Sequence, residues 1–409
     1  MDDNKRFVTG LDVGTENVRA VIATVSKSGE VSIVGYNEGK SAGMRKGILA
    51  NLTGPAEAID KMLGDAERMG GYDVRDAYVS INGSTVISTH TEGMIAVGAS
   101  DHEINDEDLA RVEDVAVTGR IPANRDVLDV VPLEYARDGQ GGIKDPLGMA
   151  GARLEMRACV VSALTPNCEN LRRATMAADV KAHRLIPSVV AASRAVLTER
   201  QKENGVAVVD LGAATTSVAI YEEGDLQYVG VIPAGSNNIT NDLAIVLAIE
   251  PELAEEIKVN FITGNFNAEK SPAIKVGKKG ERVFDRKEVE TVAKARLDEL
   301  FEEVRKKLKV AKYDQRLPEG IVLVGGGAKM RDIDLFAKEA LEAAVKVGMP
   351  RGLNGVSESI EKPEFATAVG LALMAAESSQ LDSPMIKKSK NAKSPKSGFG
   401  FLKSIFSKF

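Results

Sequence analysis

Two stretches of the sequence share one pattern, LDVGTENVRAVIATV at residues 11–25 and VDLGAATTSVAIYEEG at residues 209–224. In each stretch an Asp stands between apolar residues, a Gly follows two residues later, and a β-branched run comes after a few small or polar residues. Such a pattern predicts a strand, a tight turn and a second strand. The repeat therefore predicts two related halves with an acid and a glycine at the same place in each.

The residues of the two turns suit a nucleotide phosphate with a bound metal ion. Gly14 and Gly212 lack a Cβ, so the backbone N–H groups around them can approach an anion closely. Asp12 and Asp210 are candidate ligands for hydrated Mg²⁺, which needs few protein carboxylates. The candidate hydroxyl donors are Thr15, Thr215 and Thr216. The alternative is a set of ordinary strand–turn units without a ligand.

A third segment, IVLVGGGAKM at residues 321–330, runs from a buried strand into three consecutive glycines. Glycines at that position allow a flat base or a ribose to lie against the backbone. Together with two turns that face each other, this loop predicts a clamp for Mg²⁺-bound ATP.

Strands and helices alternate along the chain, which indicates an α/β protein. Helices are predicted at residues 53–70, after the candidate N-cap Asn105, and from Glu288 to Tyr313. The chain has 409 residues, of which 44% are hydrophobic and 27% charged. It is therefore long enough for roughly two to four domains and is not disordered as a whole.

The composition argues against several functions. A formal net charge of −6 is unusual for a protein whose main task is to bind nucleic acid. The sequence contains no apolar run of signal-peptide or membrane-spanning length, so we expect neither export nor a transmembrane helix. Cys159 and Cys168 cannot build a disulfide framework and are expected to be packing residues in a reducing cytosol. The three histidines lie far apart, which makes a structural zinc site improbable.

The C-terminal tail differs from the rest of the chain. After Asp382 the sequence has seven lysines and no acid, and removing those seven charges lowers the formal net charge from −6 to −13. Residues 383–397 are rich in Lys, Ser and Pro, which predicts a flexible linker. The pattern of residues 398–409, GFGFLKSIFSKF, predicts a helix with an apolar and a basic side, which would bind an anionic membrane surface. The alternative is a helix docked on the protein's own body. The candidate membrane-binding residues are Phe401, Leu402, Lys403, Ile405, Phe406, Lys408 and Phe409.

The two phosphate turns and the later Gly-rich loop, in this order, resemble the actin, sugar kinase and heat-shock chaperone superfamily. The finer resemblance is to the FtsA family of bacterial division proteins, and it extends over nearly the whole chain. The segments that carry it are YVSINGS (78–84), GIKDPLGMAGARLE (142–155), VIPAGSNNITNDLA (231–244), AEEIKVNFITG (254–264), PEFATAVGLAL (363–373) and the Phe-rich terminus. The resemblance implies an actin-like two-domain fold of duplicated ribonuclease H-like cores, with an inserted FtsA-type (SHS2-like) subdomain and a C-terminal amphipathic helix.

The resemblance also implies a division into subdomains. The implied parts are a first core at 1–83 and 163–200, the inserted subdomain at 84–162, a second core at 201–240 and 321–382, a partner-binding subdomain at 241–320, the linker at 383–397 and the membrane helix at 398–409. In the family, the insertion contacts filament neighbours and later division proteins, and the partner-binding subdomain accepts the C-terminal peptide of FtsZ. The predicted long helix carries basic residues that either bind an acidic peptide or form a solvated face. These residues are Lys294, Arg296, Arg305, Lys306, Lys307 and Lys309.

The implied function is structural. A protein of this family binds ATP and Mg²⁺, polymerises on the inner face of the cytoplasmic membrane at the division site, tethers the FtsZ ring there and recruits later division proteins. The implied partners are the FtsZ peptide, further copies of the chain, other division proteins and anionic lipids, and no nucleic acid. The alternatives are an actin-like membrane adaptor of pilus assembly and, less favoured, a small-molecule kinase; a chaperone ATPase would need a peptide-binding domain that the sequence lacks after the Gly-rich loop.

Carried over residue by residue, the resemblance implies a nucleotide-binding set and a metal-binding pair. The nucleotide-binding set is Gly14, Thr15, Asn17, Gly212, Ala213, Thr215, Thr216, Gly235, Glu255, Lys258, Gly326, Gly327 and Met330, and the metal-binding pair is Asp12 and Asp210. Glu255 and Lys258 match a motif that reaches ribose and base, with a solvated helix face as the alternative. Asn17 stands where related proteins often have Lys, and Arg19 is a candidate substitute for the missing cation. Alanines also replace glycines after Gly212, so we expect nucleotide binding without brisk hydrolysis, and the spacing singles out no catalytic base.

Overall fold

The computed structural model of the chain describes residues 6–98, 103–268, 270–277, 282–355 and 358–378. The linker and the amphipathic helix predicted at 383–409, with all the candidate membrane-binding residues, lie outside the described residues. Within the ranges described, no helix combines the length and the apolar character needed to cross a membrane.

The described chain alternates strands and helices, as the sequence predicts. The strands are β1 (Arg6–Val13), β2 (Asn17–Val25), β3 (Val31–Lys40), β4 (Met44–Arg45), β5 (Ile48–Leu49), β6 (Asp76–Ile81), β7 (Ile87–Ala96), β8 (Arg125–Arg137), β9 (Gln140–Ile143), β10 (Arg153–Leu164), β11 (Lys181–Pro187), β12 (Val206–Leu211), β13 (Thr216–Glu222), β14 (Asp225–Ile232), β15 (Ala273–Val276), β16 (Arg282–Asp285), β17 (Ile321–Val324), β18 (Val345–Val347) and β19 (Asn354–Gly355). The helices are α1 (Thr53–Gly70), α2 (Asp106–Val117), α3 (Thr165–Ala177), α4 (Ser188–Val196), α5 (Glu199–Asn204), α6 (Asn237–Val246), α7 (Pro251–Phe261), α8 (Arg286–Val310), α9 (Ile333–Leu341) and α10 (Ala366–Glu377), with 3₁₀ turns at Gly326–Lys329 and Pro363–Phe365.

The two halves have the same sheet topology. In the first sheet the order is β11-β6-β1-β2-β3-β19, where β1, β2 and β3 are antiparallel and β6 and β11 run parallel to β1. In the second sheet β12, β13 and β14 repeat the antiparallel meander, and β17 and β18 repeat the parallel pair. The prediction of an α/β fold with two related halves is therefore confirmed.

The inserted region extends the second sheet, although the chain enters it from the first half. Strands β7, β10, β8 and β9 continue the sheet beyond β14, where Ile87 pairs with Gly230. Helix α2 covers one face of these strands, and its buried Val112 and Ala116 belong to a separate small hydrophobic core. Lys144 adds a second link, because its Nζ lies 2.7 Å from a carboxylate oxygen of Asp225 in β14.

Helices α4 and α10 pack between the two sheets. Each of them contacts the sheet that is formed mainly by the other half of the chain. Helix α4 follows β11 of the first sheet and packs on β12 and β13, whereas α10 packs on β1 and β6. A Cβ added to Gly370 would lie 1.7 Å from the carbonyl oxygen of Ala191, so only glycine permits this helix–helix approach. The division implied above assigns residues 321–382 to the second core. Helix α10 packs mainly on β1 and β6 of the first sheet, and its apolar residues lie in a hydrophobic core that contains residues of both sheets.

Candidate functional site

A cleft of about 300 Å³ lies between the two halves, and most of the predicted nucleotide residues line it. The β1–β2 turn forms one wall, and the β12–β13 turn, α7 and the Gly-rich loop form the other. The predicted residues that line the cleft are Asp12, Gly14, Thr15, Asn17, Asp210, Gly212, Ala213, Thr215, Glu255, Lys258, Gly326, Gly327 and Met330. Residues far apart in the sequence therefore meet in one cleft.

Two predicted residues do not line this cleft. Thr216 begins β13 and is fully buried, and its hydroxyl donates a hydrogen bond to the carbonyl of Ala234 at 2.9 Å. Because successive side chains of a strand point to opposite faces, Thr215 and Thr216 cannot both face the cleft. Gly235 supports the second turn from behind, where an added Cβ would lie 2.5 Å from the carbonyl oxygen of Gly212.

The two turns predicted to bind phosphate have the same backbone hydrogen bond. The amide of Gly14 donates to the carbonyl of Asn17 at 3.1 Å, and the amide of Gly212 donates to the carbonyl of Thr215 at 2.9 Å. A Cβ on either glycine would lie under 3 Å from that carbonyl oxygen, at 2.6 Å and 2.7 Å respectively. The tight turn itself therefore requires glycine at both positions.

Asp12 and Asp210 form a pair of buried carboxylates at the bottom of the cleft. Burial raises the pKa of Asp12, although Arg19 and a 2.8 Å hydrogen bond from Ser80 oppose the shift. Burial, followed by repulsion from Asp12, raises the pKa of Asp210 to about 6. Two oxygen-rich groups that repel each other fit a hard divalent cation. No cluster of three His, Cys, Asp or Glu side chains suited to a metal occurs in the described part of the chain, so a metal ion here would keep several water ligands.

Arg19 is not free to replace the missing phosphate cation. The three residues Asp12, Arg19 and Glu38 face one another across β1, β2 and β3. The Nε of Arg19 is paired with Glu38, and its Nη1 lies 3.9 Å from Asp12, while only 11% of the side chain is exposed. The guanidinium also lies over the ring of Phe365, 5.7 Å from its centroid. The expectation that Arg19 contacts phosphate is therefore not supported.

Other polar residues of the cleft were not singled out from the sequence. Lys40 ends β3 directly opposite Asn17, and its Nζ pairs with Glu16 at 2.7 Å. The other carboxylate oxygen of Glu16 accepts a 3.1 Å hydrogen bond from Asn237 in the second half. Only the β2–β3 register brings Lys40 to the cleft, and the local sequence around Lys40 carries no signal of it.

The far end of the cleft holds the predicted ribose and base residues. Lys258 is only 7% exposed, and its Nζ lies 2.6 Å from Glu255 and 3.4 Å from the carbonyl oxygen of Ser236. The alternative of a solvated helix face therefore does not hold for Lys258. Gly325, with φ +84°, lies directly against the side chain of Asp210. A Cβ added to this glycine would be 2.3 Å from Oδ1 of Asp210.

The predicted basic face of α8 is largely neutralised. Lys294 pairs with Asp298, Arg296 with Asp242 and Glu299, Arg305 with Glu342, and Lys306 with Glu303. A groove of about 410 Å³ lies at the other end of the helix, next to the segment that follows α7. Its lining residues include Phe266, Lys270, Arg286, Lys287 and Lys294.

Two family models match the chain in separate regions. The model described as "Cell division protein FtsA" matches residues 207–370, and the model described as "SHS2 domain inserted in FTSA" matches residues 83–162. Among similar proteins, the cell division protein FtsA of Pseudomonas aeruginosa is 33% identical over 374 residues, which cover 90% of this chain and 89% of the relative. The FtsA of Escherichia coli K12 is 30% identical over 381 residues, with 90% of both chains covered.

Solved structures with a similar fold are more distant in sequence. A structure of the PilM–PilN type IV pilus biogenesis complex has a TM-score of 0.67 at 19% identity, with 91% of this chain and 99% of the other covered. MreB5 of Spiroplasma citri, in a structure bound to ADP, has a TM-score of 0.53 at 12% identity, with coverages of 89% and 94%. At these identities the similarity shows an actin-like fold and no more.

Proposed function

The chain belongs to the FtsA family of bacterial cell-division proteins, and from this we propose that it is an actin-like structural protein that binds Mg²⁺·ATP in the cleft between its halves. In this proposal the protein forms filaments on the inner face of the cytoplasmic membrane at the division site. It tethers the FtsZ ring there and recruits later division proteins, and any ATP hydrolysis is slow. We also propose the subdomain division given above.

The observation that carries the nucleotide proposal is the pair of facing turns with one buried acid in each. The two turns share one hydrogen-bond pattern, and Asp12 lies close enough to Asp210 to raise the pKa of that carboxyl. A hydrated Mg²⁺ between them would relieve their repulsion and would present its outer face to the phosphates. Hydroxyls and backbone N–H groups of the turns would hold the phosphates themselves, and Lys258, Glu255 and the Gly-rich loop would hold the nucleoside.

Titration calorimetry of the full-length protein with ATP tests this proposal. We expect binding that requires Mg²⁺, and we expect Asp210→Ala to weaken Mg²⁺-dependent binding by at least tenfold. Lys306→Ala serves as a control, because Lys306 is exposed and lies on α8, outside the cleft. Binding of ATP that is equally tight with and without Mg²⁺, or in Asp210→Ala, would refute the role of the two acids.

The proposed membrane attachment depends on the tail, and its strength depends on assembly. A single basic helix with five apolar side chains binds a membrane reversibly, because partial interfacial burial is offset by the cost of ordering a flexible segment. An array of tails on one filament raises the effective concentration and strengthens binding by roughly 10²–10⁴-fold. Flotation with anionic vesicles tests the tether, since a chain cut after Asp382 should stay in solution while the full chain floats.

We propose that the FtsZ peptide binds the groove at the start of α8. This groove combines Phe266 with four basic side chains and the acids Asp285 and Glu290. Lys270 and Arg286 both pair with Glu290, and Lys294 pairs with Asp298, whereas Lys287 has no ion-pair partner among the described residues. We expect Lys287→Glu to weaken binding of a synthetic FtsZ C-terminal peptide severalfold in fluorescence anisotropy. Lys306→Glu, near the other end of the same helix, is the matched control. Equal affinities for the two variants would exclude this groove.

The kinase alternative is tested by ATP turnover across a panel of sugars and small acids. A structural protein should show slow turnover that no substrate of the panel stimulates. Marked stimulation by one substrate would favour the kinase.

A further inference from the structure

The first phosphate turn has no free cation of its own. Gly14, Thr15 and Asn17 are uncharged, and Arg19 is held between two acids. A triphosphate carries several negative charges, so the turn that faces it would be expected to present at least one cation. A protein cation that contacts these phosphates would therefore come from outside this turn.

Lys40 lies where such a cation is needed. It is the direct cross-strand partner of Asn17, and cross-strand partners place their Cβ atoms about 4.5–5.5 Å apart on the same face of a sheet. Lys40 also lines the cleft, and 77% of its side chain is exposed. The uncharged Asn17 on β2 thus lies next to the cation Lys40 on β3.

The present partner of Lys40 holds it only weakly. The Glu16 side chain is itself 45% exposed, and ion pairs between exposed groups contribute little to stability. Glu16 has other contacts that fix it, because Asn237 donates to its second carboxylate oxygen and the amide of Ser41 donates to its backbone carbonyl at 2.9 Å. Lys40 can therefore leave Glu16 without displacing it.

We propose that Lys40 is the phosphate-binding cation of the first turn, and that Glu16 is its resting partner when no phosphate is bound. This inference rests on the proposed binding of Mg²⁺·ATP. Phosphate and the Glu16 carboxylate compete for one ammonium group. The cross-strand position of Lys40 thereby compensates for the uncharged Asn17.

A simpler role for Lys40 would be to neutralise Glu16, which would otherwise repel phosphate from the cleft. The two roles predict different ATP affinities in a protein that lacks the Glu16 charge. If Lys40 only neutralises Glu16, removing Lys40 from a Glu16→Gln protein has no effect on ATP binding. If Lys40 contacts phosphate, the loss persists in that background.

The test measures dissociation constants of the full-length protein for Mg²⁺·ATP and for adenosine at low ionic strength. The variants are Lys40→Met, Glu16→Gln, their combination, and Lys27→Met as a control at the opposite end of the same β2–β3 hairpin. We expect Lys40→Met to weaken Mg²⁺·ATP binding about tenfold, with and without the Glu16 charge, and to leave adenosine binding unchanged. Glu16→Gln should tighten Mg²⁺·ATP binding, because Lys40 then has no competing carboxylate, and Lys27→Met should change nothing.

Three outcomes would overturn the inference: unchanged Mg²⁺·ATP affinity in Lys40→Met, a loss that disappears in the Glu16→Gln background, or an equal loss for adenosine. None of these outcomes contradicts the proposed function, provided that the unaltered chain binds Mg²⁺·ATP. If the unaltered chain does not bind it, the proposed function fails first and this inference with it.

Discussion

Replacing Asp210 by Asn should stabilise the empty protein and should weaken the proposed Mg²⁺-dependent binding of ATP. The pKa of Asp210 rises from 3.8 to about 6 in the fold, because the carboxyl is buried and faces Asp12. Each unit of pKa difference corresponds to about 1.4 kcal/mol, so keeping this group ionised destabilises the folded state by up to about 3 kcal/mol. Asparagine keeps the shape and removes the charge.

The size of this stabilisation depends on pH. A carboxyl whose pKa is raised by folding binds its proton more tightly in the folded state than in the unfolded one. The contribution of Asp210 to the stability of the unaltered protein is therefore most favourable below pH 4, and it becomes less favourable as the pH rises through about 6. The advantage of Asp210→Asn should be about 1 kcal/mol at pH 4.5 and about 3 kcal/mol at pH 8.

Urea unfolding at these two pH values, without Mg²⁺ or nucleotide, measures the difference. Asp60→Asn, which alters an exposed acid of α1, is the control and should change the free energy of unfolding by less than about 0.5 kcal/mol. The argument from burial and repulsion fails if Asp210→Asn gives no gain at pH 8, or if its gain is the same at both pH values. Adding Mg²⁺·ATP should stabilise the unaltered protein more than the variant.

Three other perturbations address packing, thiol reactivity and the tail. Gly370→Ala should destabilise the fold by several kcal/mol, because its methyl group would overlap the carbonyl of Ala191. Gly64→Ala in α1 meets no atom within 4 Å and should stabilise the fold by about 0.5–1 kcal/mol. Urea unfolding measures both changes. Cys159 and Cys168 should resist iodoacetamide at pH 8 until the protein is denatured, because burial raises their pKa values to about 12 and about 11, and mass spectrometry would detect any labelling of the native protein. Phe406→Glu should abolish flotation with anionic vesicles while ATP affinity in calorimetry stays unchanged, and flotation equal to that of the unaltered chain would contradict the proposed tether.

The fold could be predicted where its determinants are local. The repeated acid–glycine pattern indicated both meanders because a tight turn that lacks room for a Cβ leaves a visible glycine. Helix α2 begins as predicted, since Asn105 accepts hydrogen bonds from the amides of Glu107 and Asp108. Helix α8 begins earlier than predicted, at Arg286, because Asp285 caps it through the amide of Lys287.

The site could be predicted less completely, because several of its residues are placed by strand register. Lys40 and Glu38 come to the cleft only through the pairing of β2 with β3, whose shift between Ile22 and Ala23 no local pattern reveals. Arg19 is a candidate substitute cation in the sequence because its strand face can be inferred, whereas its partners on the neighbouring strands cannot. The packing of α10 on β1 and β6 was not predicted either, because the sequence does not show which strands its apolar residues meet.

The two halves repeat one backbone but surround their acids differently, and this asymmetry explains their ionisation. In the first half the cross-strand partner of Asp12 is Arg19, whose charge opposes the rise in pKa that burial causes. In the second half the cross-strand partner of Asp210 is Ser217, which carries no charge. Arg19 is the main group that opposes the effect of burial on the pKa of Asp12, whereas at Asp210 its effect is smaller than those of burial and of repulsion from Asp12. We therefore expect a bound metal ion to relieve more electrostatic repulsion at Asp210 than at Asp12. Removing the charge of Asp210 should also stabilise the empty protein more than removing that of Asp12, because the latter change would take away one of the two acids that surround Arg19.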